Sequence, residues 1–233
     1  MTIQDITNYI EELAPLSYAE DFDNVGLLIG NYNTDVTGVL VTLDTLEETV
    51  DEAIAKGCNL IVSFHPIIFS GLKKINGNNY VERVVLKAIQ NNIAIYATHT
   101  ALDNVDNGVS AKMGAVLGLN NMQILIPKKD NNSIGMGMIG ELPSVMEEKD
   151  FLQFVKKTFK TDCVRHSELL GKSIKKVAVL GGSGSFAISN AINAKADAYI
   201  SADFKYHEFF KAENSILLAD VGHYESEQFT KNL

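Results

Sequence analysis

Cysteine is nearly absent: the 233 residues include only Cys58 and Cys163, far apart and in unrelated contexts. That excludes a thiolate zinc site and fits a reducing compartment. Basic residues are also scarce, with 20 Lys and Arg against 29 Asp and Glu, a net charge of −9. Phosphate neutralisation needs clustered cations, so broad nucleic-acid binding is not expected. No apolar run approaches the length of a membrane span, and residues Met1 to Ile6 show neither a basic n-region nor an apolar h-region. Short-period repeats and low-complexity segments are missing too. The expectation is a cytoplasmic protein with no membrane partner. What remains, 46% hydrophobic and 21% charged, is an ordinary globular composition in a chain long enough to bury a sizeable core.

The first half alternates helical and extended patterns. Ile3 to Leu13 places apolar residues at 3, 6, 9, 10 and 13, the helical period. Gly38 to Leu43 reads as a buried strand. Thr45 is placed to cap a helix reaching Lys56, with Gly57 as its stop. Cys58 to Ser63 reads as a second strand, Asn79 to Asn91 as a helix, and Ile93 to Thr98 as a third strand. Strand, helix, strand, helix, strand is the signature of a parallel sheet covered on both faces. The stretch Pro127 to Gly140, rich in Lys, Asn and Gly, reads as a connection. Beyond it come a helix at Glu147 to Phe159, a strand at Lys175 to Leu180 and a helix from Phe186. Strands at Ala198 to Ser201 and Ile216 to Ala219 follow. The expected fold class is α/β: two α/β lobes, 1–126 and 127–233, with mainly parallel sheets flanked by helices.

In such sheets ligands gather at the C-terminal ends of strands. There the sequence places His65 after the second strand, and His99 with Asp103 after the third. It places Asp203 and His207 after the strand at 198–201, and His223 with Glu227 after the last. Four of the five histidines thus follow expected strands; His166 does not and reads as a surface residue. Each alone is more often structural than functional, but the set together with Asp103 and Glu227 favours a site. His223 and Glu227 share a helix face at i and i+4, and imidazole plus carboxylate suits a borderline divalent ion such as zinc, iron or manganese. His99 and His207 are candidates for proton transfer or for holding an anionic group, and equally for orienting a carboxylate. Lys205 is as readily a solvated side chain as a phosphate partner. Gly181 to Gly184 matches neither nucleotide fingerprint; its amides could hold an anion, or it is only a tight turn. Capping or turn formation is the default role of Asp23 and Asn24.

These phrases in order resemble the NIF-three-like family of dinuclear-metal proteins, also called GTP cyclohydrolase I type 2 homologs. The resemblance is carried by Asp23-Asn-Val-Gly-Leu27, Ser63-Phe-His-Pro66, His99-Thr-Ala-Leu-Asp103, Gly137-Met-Ile-Gly140, Gly181-Gly-Ser-Gly184, Asp203-Phe-Lys-Tyr-His207 and His223-Tyr-Glu-Ser-Glu227. It covers essentially the whole chain. It implies metal ligands at position 64, His65, Asp103, His223 and Glu227, with Glu227 bridging two ions. Phe64 departs from that pattern, because a phenyl ring cannot coordinate. The expected outcome is one well-held site from His65, Asp103 and Glu227 and a weak or empty second site at His223. Alternatively His99 or His207 steps in, or Phe64 fills core volume and the site has lost its function. Longer members insert a further domain where Lys128 to Ser133 stands here. Members also usually continue past the Ser-x-Glu phrase, and truncation near Leu233 would weaken the frame of the ligand-bearing helix.

The function implied is a metal-dependent hydrolase, GTP cyclohydrolase-like, acting on a nucleotide or related phosphorylated small molecule. Its ion would acidify a bound water. A metal-binding regulatory scaffold is the alternative, and a metal-dependent phosphoesterase a third reading. The resemblance also implies a toroidal homohexamer.

Overall fold

The structure is a computed structural model that describes every residue except Asp130. It divides into two compact units, Met1–Asn104 and Val105–Leu233. The division falls ahead of the boundary expected after residue 126.

The first unit runs α1 (Ile3–Leu13), β1 (Gly26–Ile29), β2 (Val39–Thr42), α2 (Glu47–Lys56), β3 (Leu60–Ser63), α3 (Tyr80–Gln90), β4 (Ala94–Ala97) and α4 (His99–Asp103). Its four strands lie in the order β1-β4-β3-β2. The β2–β3 and β3–β4 pairs are parallel, and β1 closes the edge antiparallel to β4. Successive residues in a strand face opposite sides. In β3 and β4, Ile61 and Ile95 therefore join Val50 and Ala53 of α2 and Val84, Val85 and Ala88 of α3 in one core. Leu60, Ala94 and Tyr96 face the other way, onto Ile3 of α1. Thr2 caps α1 through a capping box with Asp5, and Asn79 caps α3 by accepting from the Glu82 amide. Thr45 does not cap α2: it is buried, and Leu46 takes the N-cap position.

The second unit continues with α5 (Val109–Val116), β5 (Asn120–Lys128), β6 (Asn131–Glu147), α6 (Glu148–Thr158), β7 (Arg165–His166), β8 (Ser173–Ser183), α7 (Ile188–Asn193), β9 (Ala198–Ala202), β10 (Leu217–Asp220) and α8 (His223–Glu227). Its six strands run β5-β6-β8-β9-β10-β7. Only β8–β9 and β9–β10 pair in parallel; β5, β6 and β7 add antiparallel neighbours. This sheet is mixed, not mainly parallel, because the expected connection at 127–140 is a long hairpin. Its glycines mark close strand approach: a Cβ on Gly140 would come 2.9 Å from the Asn120 carbonyl oxygen. Within β8, Val177 and Val179 face a core built on Phe151 and Val155 of α6, while Ala178 and Leu180 face Ile188 and Ala191 of α7. Of the stretch Lys128 to Ser133, Asp130 lies outside the described residues, and the flanking pair Lys128–Asn131 closes the hairpin. No helix among the described residues is long and apolar enough to cross a membrane.

Candidate metal-binding residues

Two five-residue helices, one in each unit, are built alike. In the first unit α4 begins at His99 and ends at Asp103, directly after β4. In the second, α8 begins at His223 and ends at Glu227, just after β10. Both therefore start with an imidazole and end with a carboxylate one helical turn on.

Three of the histidines have a carboxylate behind them. His99 Nδ1 donates to Asp23 Oδ1 at 2.8 Å, His223 Nδ1 to Asp203 Oδ2 at 2.7 Å, and His65 Nδ1 to Asp44 Oδ1 at 2.8 Å. An ionised carboxylate only accepts, so Nδ1 carries the proton and Nε2 becomes the coordinating or proton-accepting atom. Neither Asp23 nor Asp44 stands out in the sequence: Asp44 merely ends the strand run, and Asp23 reads as a turn residue. The sequence places Asp44 at the end of a strand run and Asp23 in a loop, without a cue that either meets a histidine.

In the first unit the imidazoles of His65 and His99 meet edge to face, with centroids 5.5 Å apart. Phe64 is 2% exposed and packs on both, at 5.0 Å from His65 and 5.6 Å from His99. The ring that cannot coordinate thus fills volume beside those that can. His99 adopts φ +27, uncommon for a side-chain-bearing residue, and is held there by its amide bond to the Phe64 carbonyl and its ring bond to Asp23. Asp103 is half-buried at the end of α4.

The Asp23 side chain is fully buried, and burial opposes its ionisation. Hydrogen bonds from His99, Thr100 and the Asn24 amide outweigh that penalty and hold its carboxyl at about 2. Because this lies below the usual 3.8, the stabilisation is complete above that pH and is lost as pH falls through about 2. Asp23→Asn is therefore expected to cost about 2 kcal/mol at neutral pH. Denaturant titrations of both proteins at several pH values should show the gap closing as the pH approaches 2. A gap unchanged by acid would show that Asp23 stabilises by some other route.

In the second unit Glu227 is 3% exposed, and its Oε2 lies 3.3 Å from His223 Nε2. That carboxylate, joined by Asp203, pushes His223 up to about 9 against the opposing effect of burial. The glycine turn belongs to this pair. Gly182 has φ +68, and a Cβ there would lie 2.4 Å from Glu227 Oε1 and 3.2 Å from His223 Nε2. Its amide donates to Ser226 Oγ at 2.9 Å, and the Gly181 amide donates to Ser110 Oγ at 3.4 Å. These amides face protein acceptors, so the segment cradles the ligand pair and does not serve as an anion loop. His207 stands exposed on the 3-10 segment Tyr206–Ala212, Lys205 is also exposed, and His166 is exposed in β7.

The family model of Duf34/NIF3 (NGG1p interacting factor 3) matches residues 1–233. A Clostridium acetobutylicum protein named GTP cyclohydrolase 1 type 2 homolog is 35% identical, over 97% of this chain and 85% of its own length. A Lactococcus lactis protein of the same name is 36% identical, over 99% and 89%. The crystal structure of a Staphylococcus aureus hypothetical protein superposes with a TM-score of 0.92 at 32% identity, covering 97% of this chain and 87% of that one. With a family match along its whole length and relatives this similar, the chain belongs to the Duf34/NIF3 family.

Proposed function

We propose that this protein is a metal-dependent hydrolase acting on a nucleotide or related phosphorylated small molecule, with GTP cyclohydrolase-like purine ring opening as its leading chemistry. The observation that carries the reading is the carboxylate anchoring of His65, His99 and His223, which fixes Nε2 as the outward-acting atom in each. That arrangement is the habitual support of metal-ligating histidines. His65, Asp103, His223 and Glu227 are the proposed divalent-metal ligands, the set that the family resemblance implies. Nitrogen and carboxylate oxygen suit zinc, iron and manganese alike. Such an ion supplies Lewis acidity, polarising a substrate oxygen and making water more acidic.

The chain's own residues do the rest. Gly182 leaves room for Glu227 to lie against His223. His99, backed by a buried and firmly ionised Asp23, accepts or returns a proton at Nε2, since the carboxylate stabilises the imidazolium that forms. His207, exposed on its loop, is proposed to meet the anionic part of the substrate. The name shared by the curated relatives supports the nucleotide assignment. A ring-shaped homohexamer is the assembly proposed with it, and light scattering on the purified chain tests that part.

Metal analysis of the natural chain and of Phe64→His, with GTP turnover assayed under Mn²⁺, Fe²⁺ and Zn²⁺, tests the reading. The expected result is about one ion per natural chain, rising towards two in the variant, with metal-dependent turnover. Two tightly held ions in the natural chain would show that another residue replaces the ligand missing at Phe64. A metal-loaded protein that leaves GTP untouched would instead favour a regulatory scaffold.

A further inference from the structure

Asp203 and His223 are twenty residues apart in sequence, and both are well exposed, at 49% and 39% of their side chains. Two exposed groups do not hold one geometry by their own attraction, which water screens and side-chain entropy opposes at a surface. Asp203 moreover adopts φ +59, a left-handed conformation that a side-chain-bearing residue does not favour. Something beneath the pair must fix both backbones.

The group beneath them is Asp220, at the end of β10, whose side chain is 5% exposed. Its Oδ2 accepts from the Phe204 amide at 3.0 Å, next to Asp203. Its Oδ1 accepts from the Gly222 amide at 3.1 Å, next to His223. One carboxylate therefore ties the loop after β9 to the start of α8. Arg165, paired with Asp220 across β7 and β10, completes the fixture. Its Nη1 donates to Asp220 Oδ2 at 3.1 Å and its Nη2 to the Phe204 carbonyl at 2.8 Å, while the guanidinium lies 5.1 Å over the Phe209 ring. Both faces of the Phe204 peptide backbone are thus gripped, by Asp220 at N–H and by Arg165 at C=O. The planar fork of arginine suits that two-point hold, whereas a lysine offers a single point charge.

We infer that Arg165 and Asp220 form a positioning clamp that sets the His223–Asp203 geometry, and through it the coordinating power of His223, without either residue touching a metal or substrate. The consequence for metal binding rests on the reading that His223 is a ligand; the effect on the imidazole itself does not.

Asp220→Asn keeps volume but sets an amide N–H₂ against Phe204 N–H and Arg165, or against Gly222 N–H, so one tie fails in either orientation. Arg165→Lys keeps the charge and removes the fork. For the full chain without metal, at a pH above the value of about 9 to which Glu227 and Asp203 raise His223, so that its imidazole is neutral, ¹⁵N–¹H correlation reads the Nδ1–H tautomer of His223. Both variants should lose that single tautomer at His223 while His99 keeps its own. In Mn²⁺ and Zn²⁺ titrations, each variant should bind about 10- to 100-fold more weakly, the usual cost of losing an outer support of a ligand. In an Asp203→Ala background Asp220→Asn should add less than its full effect, because the tie through Phe204 acts by way of Asp203; a merely destabilising change would add in full. If Asp220→Asn fails to fold, Arg165→Lys carries the same readouts. A His223 signal unchanged in the folded variants, or full additivity with Asp203→Ala, overturns the clamp. Natural protein that binds no metal, yet whose variants lose the His223 tautomer, would overturn the metal reading and leave the clamp supported.

Discussion

Replacing Glu227 by alanine is expected to weaken divalent-metal binding more than about 100-fold and to abolish metal-dependent turnover. Loss of a support behind a ligand already costs about 10- to 100-fold, and Glu227 is a proposed ligand itself. Its burial sharpens the effect, because a 3%-exposed carboxylate beside an imidazole acts with little screening by water. The substitution has a second consequence that needs no metal. The carboxylate is the main influence raising His223 to about 9, so its loss should bring that imidazole down. Glu227→Gln separates charge from shape: it keeps the volume against Gly182 and should reproduce both effects. Calorimetric metal titration and an NMR pH titration of His223 measure the two. Metal affinity retained in the folded glutamine variant would remove Glu227 from the ligand set, whatever happens to His223.

The second large effect is expected at a residue with no side chain. Gly182→Ala would force a Cβ to 2.4 Å from Glu227 Oε1, so the carboxylate must move or the strand end must shift. It also places a side-chain-bearing residue at φ +68, which costs about 1–2 kcal/mol. Overpacking of a filled site adds typically about 1–3 kcal/mol. The variant should be destabilised by about 3 kcal/mol and bind metal far less well. Comparison with Gly181→Ala is informative. That position lacks the left-handed backbone, and its Cβ would press on Val109 Cγ1 at 2.7 Å while meeting Glu227 only at Cγ, at an ordinary contact distance of 3.5 Å. Gly181→Ala should lose stability while largely keeping metal affinity. Equal affinity loss in both variants would mean that general loosening, and not the displaced carboxylate, explains the result.

Where the sequence was readable, it was so because one physical signal dominated. Strands β2, β3 and β4 are short apolar runs bounded by polar or glycine residues, and the amphipathic period marks α1. The strands that escaped notice lack such a signal. Gly26–Ile29 is only four residues long and lies inside a glycine-flanked phrase. The β5–β6 hairpin alternates apolar residues with Lys, Asn and Gly, so pairing and not composition makes it a strand pair. The site shows the same division. Histidines after strand ends were visible, because α/β topology collects them there. Asp23 and Asp203 lie in phrases the sequence marks, but nothing there shows that Asp23, Asp44 and Asp203 stand behind His99, His65 and His223, across 76, 21 and 20 residues. Local wording cannot encode such distances. From the sequence Gly182 reads as part of a tight turn or an anion loop; the structure adds that its missing Cβ leaves the room in which the Glu227 carboxylate lies.

The long hairpin has a consequence for how this protein tolerates growth. Lys129, Asn131, Asn132 and Ser133 are exposed, while the core contacts of β6 begin at Ile134. Extra chain entering at that tip would leave the β5–β6 and β6–β8 ladders intact, and the β8–β9–β10 strands that carry Gly182 and lead into α8 lie beyond them. The added penalty is chiefly the entropy of closing a longer loop, about 0.6 kcal/mol for each doubling of its length. The tip is therefore a natural port for lengthening the chain, by descent or by design, in which the size of the addition hardly matters to what happens at the far end of the sheet.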